Sequence, residues 1–210
     1  MPSKIPTAVY AEMTPNPAAM KFVADRALIQ GGLQVEYRNK PEAKNSSPLA
    51  EELFNFPFVQ SVFISGNYVT VLKDESLGWE MIVMQLREYI REWLTENELA
   101  VTAVSRELLE RQSSTRDAAD SAASAIDYAS FEPTEHDDEI RFLLEEYVRP
   151  AVEQDGGAID FKAFHEGKVY VQLRGSCSGC PSSTQTLKGG IENLLKAKLN
   201  FVEEVVAEAV

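Results

Sequence analysis

A run of small polar residues near the middle of the chain sets the strongest limit on how it folds. Ser113-Ser114-Thr115-Arg116-Asp117-Ala118-Ala119-Asp120-Ser121-Ala122-Ala123-Ser124 has no apolar period. Such a segment cannot bury enough surface to offset the entropy lost on ordering it. It reads as a flexible linker, so the 210 residues divide into two small modules rather than one continuous core. The division drawn from this is residues 1–97, a partly helical linker over 98–131, and residues 132–210. A hydrophobic share of 44% leaves each module enough material for a core.

In the first module Ser47-Pro48 has the pattern of an N-cap followed by proline at the first helical position, opening a short helix through Leu53. Val62-Phe63-Ile64 and Tyr68-Val69-Thr70-Val71 read as strands around a Gly66-Asn67 hairpin turn. Trp79, Ile82, Val83, Leu86, Ile90, Trp93 and Leu94 then recur at helical spacing and make one wide apolar face, with both tryptophans expected in the core. Leu99–Gln112 is open to a continuation of helix.

The second module begins near Thr134. Ile140, Leu143, Leu144, Tyr147, Val148 and Ala151 fit a helical stripe, with Pro150 set to kink or loosen its last turn. Asp155-Gly156-Gly157 ends that helix. Ile159, Phe161 and Ala163 alternate, as do Val169, Val171 and Leu173, and Glu166-Gly167 between them makes a hairpin. A cysteine-bearing loop follows. Then comes a helix from Pro181 with Leu187, Ile191, Leu194 and Leu195 on one face, and a last strand around Phe201–Val206. The fold class expected is α+β: two small α/β domains joined by a linker, the second α-β-β-α-β with two helices on one face of a three-stranded mixed sheet.

Both cysteines of the chain lie in Cys177-Ser178-Gly179-Cys180-Pro181. Pro181 suits the first position of a helix, which places Cys180 near the N-cap. Free N–H groups and partial positive charge at a helix N-terminus stabilise thiolates and lower their pKa. Gly175 and Gly179 allow backbone N–H groups to approach sulfur. Arg174 either offsets negative charge there or is an exposed strand residue. Thiolate-held clusters and structural zinc take four ligands, so one chain supplies half a site. A thioredoxin-like pair fits poorly, because its second cysteine sits inside the helix. Residue pattern alone leaves an iron–sulfur cluster and zinc both open. Gly189-Gly190 inside the last helix points to close packing against the sheet or a neighbour. His136 and His165 read as solvated residues rather than ligands.

A resemblance separates these readings. Arg149-Pro150-Ala151-Val152, Asp155-Gly156-Gly157, Gly175 through Ser183 and Thr186-Leu187-Lys188 closely resemble the NifU C-terminal (Nfu-type) domain. The resemblance implies that Cys177 and Cys180 hold a cluster between two protomers, generally [4Fe–4S], with a [2Fe–2S] form left open. It further implies that the cluster passes to apo-proteins. Met13 through Pro17, Lys21-Phe22, Ser47 through Ala50, Val62-Phe63 and Val69 through Val71 resemble the N-terminal domain often attached to Nfu proteins. Full-length NifU differs: its U-type scaffold and ferredoxin-like domains need several cysteines, and none precedes Cys177 here.

The expected function is therefore a non-enzymatic cluster carrier. Its expected partners are a second copy of itself, apo iron–sulfur clients and an upstream donor. A dithiol/disulfide oxidoreductase and a zinc-bridged dimeric adaptor are the alternatives. A net charge of −13 disfavours nucleic acid and anionic membranes as partners. A first stretch without apolar core or arginine-rich character, together with free thiols, gives a cytoplasmic location as the expectation.

Overall fold

The fold is that of a computed structural model, which describes residues 5–104, 128, 131–178 and 181–209. The polar run Ser113–Ser124, most of the 98–131 linker, Gly179 and Cys180 lie outside the described residues. Two compact units divide the chain, one within residues 1–109 and one within 110–210.

The first unit contains β1 (Val9–Met13), β2 (Ala19–Ala24), β3 (Gln34–Tyr37), α1 (Lys40–Ala43), α2 (Pro48–Leu53), β4 (Val59–Ser65), β5 (Tyr68–Lys73) and α3 (Trp79–Glu96). Its sheet runs β1-β2-β5-β4-β3 with every neighbouring pair antiparallel. Ser65 pairs with Tyr68, leaving Gly66-Asn67 as the two-residue turn, and Gly66 takes φ +51° as such a turn requires. Ser47 caps α2, its Oγ accepting from the Ala50 N–H at 3.1 Å. α3 buries Ile82, Leu86, Ile90 and Leu94 in one cluster with Phe22, Val62, Ile64 and Val71. The tryptophans flank this core instead of filling it. Both are only partly buried, and Trp79 Nε1 donates to the Pro17 carbonyl at 3.0 Å.

Helix does not continue over Leu99–Val104; the rest of that expectation, from residue 105 on, lies outside the described residues. The chain instead turns back into the first core. Ala100 and Val101 are buried there, the Ala100 N–H donates to the Leu28 carbonyl at 2.9 Å and the Thr102 N–H to the Ser46 carbonyl at 2.9 Å. Ser47 Oγ, besides capping α2, donates to the Ala100 carbonyl at 2.7 Å. One buried serine thus ties together two segments far apart in sequence.

The second unit runs α4 (Asp137–Leu143), a π-helical turn (Leu144–Val148), α5 (Arg149–Gln154), β6 (Gly157–His165), β7 (Lys168–Gly175), α6 (Pro181–Lys198) and β8 (Glu204–Ala209). β6 pairs antiparallel with β7, and β7 parallel with β8, so the sheet is mixed, as expected. Ile140, Leu143, Leu144, Val148 and Val152 of the first helical stretch share one core with Ile191, Leu195 and Leu199 of the second stretch. Both stretches meet Ile159, Val169, Val171, Leu173 and Val205 of the sheet.

Pro150 has the anticipated effect, and its form is specific. A proline lacks the N–H for the bond four residues back, and its ring crowds that carbonyl. The helix answers one turn earlier with the π turn, where the Arg149 N–H bonds to the Leu144 carbonyl. The extra residue shifts the phase, so Val152 rather than Ala151 reaches the core and Tyr147 is 52% exposed. A second phase shift occurs in β6. A register irregularity between Phe161 and Ala163 turns Phe164, not Ala163, into the core cluster. Alternation read across a bulge fails for this reason.

Candidate functional site

The open end of the β6–β7 hairpin is where the cysteine loop is built. Gly157 pairs with Gly175, so the end of the first helical stretch and the start of the cysteine loop lie side by side. Asp155 closes α5, and Gly156 turns the chain away at φ +81°. Gly175 takes φ +67°, which turns the chain out of β7 into Ser176-Cys177-Ser178. These two turns are bonded to each other. Ser176 N–H donates to the Gly156 carbonyl at 3.3 Å, and Ser176 Oγ donates to the Asp155 carbonyl. The loop also bonds to itself, with Ser178 Oγ donating to the Gly175 carbonyl at 2.8 Å. From α6, Thr184 Oγ1 donates to the Cys177 carbonyl at 3.1 Å.

Cys177 is not the exposed loop thiol the sequence suggests. It is only 7% exposed and belongs to the second core. Its Sγ lies so close to Gly157 that a Cβ there would stand 2.7 Å from the sulfur and 2.7 Å from the Arg174 carbonyl. Gly157 is thus a seat for the thiol, a role that the Asp155-Gly156-Gly157 motif, taken only as a helix stop, did not reveal. Burial pushes the Cys177 thiol up to about 11; a hydrogen bond with Ser176 pulls it down and the nearby Asp155 charge adds to the rise. The lowered pKa expected from the helix N-terminus does not hold for Cys177. Desolvation of the sulfur is the largest influence on it, and it keeps the thiol protonated at neutral pH.

The remaining candidates fall into place around this centre. Arg174 is neither an exposed strand residue nor a free cation beside sulfur. It is buried, and its guanidinium meets the Asp160 carboxylate across the hairpin at 2.7 Å. His136 stacks on Phe201 with ring centroids 3.8 Å apart, and His165 on Phe131 at 4.6 Å. Both act as aromatic packing groups. Among the described residues a Cβ at Gly189 or Gly190 would meet nothing within 4 Å, and both are exposed, so the close packing expected for them is not made there. Among the described residues no group of three or more His, Cys, Asp or Glu side chains could hold a metal. One buried thiol is a partial donor set. Cys180, its sequence partner, lies outside the described residues.

The same segments carry the likeness to known proteins. Residues 9–97 match the family described as "Scaffold protein Nfu/NifU N terminal", and residues 140–206 match the "NifU-like domain". The chain is 33% identical over 204 residues to "NifU-like protein, mitochondrial" of Saccharomyces cerevisiae, covering 92% of this chain and 77% of that one. It is 31% identical over 202 residues to "NFU1 iron-sulfur cluster scaffold homolog, mitochondrial" of Homo sapiens, covering 94% and 70%. Against the Drosophila erecta protein of the same name the identity is 33%, and the chain spans 63% of its length. An α+β chain with this pair of domains in this order belongs to the Nfu-type, NifU-like protein family. The cytoplasmic expectation is corrected by these relatives, which are named mitochondrial. Free thiols persist in any reducing compartment, so cysteine content never discriminated between the two.

Proposed function

We propose that this protein is an iron–sulfur cluster carrier that holds a [4Fe–4S] cluster between two copies of itself and hands it to apo-proteins. The observation that carries the reading is the cysteine count. Two thiols, three positions apart at a strand-to-helix junction, make half of the ligand set a cubane needs. Membership in a family whose relatives are named cluster scaffolds supports iron and sulfide as the cargo over zinc. The buried, protonated Cys177 also argues against a dithiol oxidoreductase, whose reactive thiol sits exposed in electropositive surroundings.

The cluster is cargo, and the chemistry on this chain is ligand exchange. Cys177 and Cys180 each give up a proton and bind iron as thiolates. For Cys177 this means leaving its seat on Gly157. A client thiolate then replaces each cysteine in turn, and no electron need be transferred. The two units act as separate modules within the 1–97, 98–131 and 132–210 division. The second holds the cluster, and the first influences client choice. A mitochondrial location, as for the named relatives, goes with this role.

Anaerobic reconstitution tests the reading. One cubane per two chains is expected by iron and sulfide content, Mössbauer spectra and native mass. Cys177→Ser and Cys180→Ser should each abolish stable loading, and residues 132–210 alone should load. A colourless zinc protein, or a loaded monomer with no added thiol, would overturn it.

A further inference from the structure

The second unit carries an exposed aromatic face that the cluster reading does not use. Phe142 is 62% exposed and Tyr147 52%, on a helix whose opposite side builds the core. Aromatic side chains bury large areas on contact and are the usual anchors of protein interfaces. The π turn is what sets this pair. Its wider winding places Tyr147 less far around the axis from Phe142 than an α-helix would, and such turns recur at functional positions.

Acidic side chains outnumber basic ones around Phe142. Positions three and four residues away share a helix face, and on both sides of Phe142 these are acidic: Asp138, Glu139, Glu145 and Glu146, all exposed. Arg141 lies over the Phe161 ring of the sheet at 4.9 Å and pairs with Asp138 on its own helix at 3.3 Å. Arg149 binds Glu145 at 2.5 Å. Glu139 and Glu146 make no ion pair among the described residues. At the far rim Lys198 lies over the Tyr147 ring at 5.5 Å.

We infer that the Phe142–Tyr147 face docks a basic amphipathic helical segment of a partner protein. Its apolar side would cover Phe142 and Tyr147, and its Lys and Arg side chains would meet Glu139 and Glu146. Charge complementarity selects this occupant. A second copy would bring the same acidic face, in a chain of net charge −13, against itself. The inference does not depend on the cluster, and Lys198 ends the helix that begins at the cysteine loop with Pro181.

The test uses the full chain and a fluorescein-labelled synthetic helix of Leu, Lys and Arg with one apolar and one basic face. Fluorescence anisotropy compares it with a scrambled peptide of the same composition. Phe142→Ser should weaken binding about tenfold or more, and Glu139→Lys with Glu146→Lys more still, with binding that weakens as salt rises. Met84→Ser, an equally exposed apolar site at 62% in the first unit, should change nothing. Phe142 is exposed, so its variant should keep the parent circular dichroism and melting. Amide shifts on binding should centre on residues 138–149. Equal binding of the scrambled peptide, or equal loss with Met84→Ser, would overturn the inference in favour of general attraction to an acidic chain. Apo-protein self-association abolished by Phe142→Ser would overturn it in favour of a second copy.

Discussion

The two units solve the same packing problem with different use of glycine. In the first, the glycine at the β4–β5 turn, Gly66, faces open space, and the core closes around side chains alone. In the second, Gly157 lies against the Cys177 sulfur, and a Cβ there has no room. The first arrangement tolerates change away from its core. The second couples its stability to the position of Cys177.

The sharpest way to break this comparison is a core truncation confined to one unit. Leu173→Ala, at a fully buried site, should cost about 2–5 kcal/mol. It should lower a melting transition of the second unit while leaving the signal of the first in place. A single shifted transition for the whole chain would mean the units are not independent.

Next in size is Gly157→Ala. Its methyl group would overlap Cys177 Sγ and the Arg174 carbonyl, and overpacking of this kind costs about 1–3 kcal/mol. Relief by outward movement of the thiol should speed alkylation of Cys177, measured in a Cys180→Ser background. Unchanged alkylation would mean that Gly157 does not seat the sulfur. In the first unit, Ser47→Ala removes both a helix cap and the bond to Ala100, for a loss of about 1–2 kcal/mol in urea unfolding.

The pH dependence of Cys177 gives a third contrast. Its folded value, about 11, stands above the ordinary 9.0. The folded state therefore holds the proton more tightly. The stability this contributes is full below about pH 9 and is lost as pH rises toward about 11. Iodoacetamide labelling in the Cys180→Ser protein should rise at correspondingly high pH. A midpoint at or below 9 would show the thiol to be solvated. The smallest effect has the opposite sign. Gly189→Ala and Gly190→Ala should each stabilise the second unit by about 1 kcal/mol, since a Cβ meets nothing there. Destabilisation of the apo-protein would reveal a contact made by another molecule.

Much of this architecture was legible because it is written over short distances. The Ser47-Pro48 cap, the Gly66-Asn67 and Glu166-Gly167 turns and the helix stop at Asp155-Gly156 depend on a few adjacent residues and their allowed dihedrals. The apolar period of α3 and the order α-β-β-α-β follow from local pattern in the same way. The cysteine pair stood out in the same way, as both thiols of the chain in one loop before a proline.

What the amino-acid sequence determined by itself is thus the class of fold and the family, and it supplied the two thiols, Cys177 and Cys180, on which the proposed cluster site rests. The tertiary structure alone decided how the Cys177 sulfur is held. Its burial depends on Gly157 lying opposite Gly175, a pairing eighteen residues apart in the chain. The Arg174–Asp160 pair, the second bond of Ser47 and the inward turn of Phe164 after the bulge have the same origin. Each depends on strand register or on long-range closure, and local propensity carries no information about either. Desolvation is likewise a property of the assembled core, which is why Cys177 departs from the activated thiol that its place before a helix suggests.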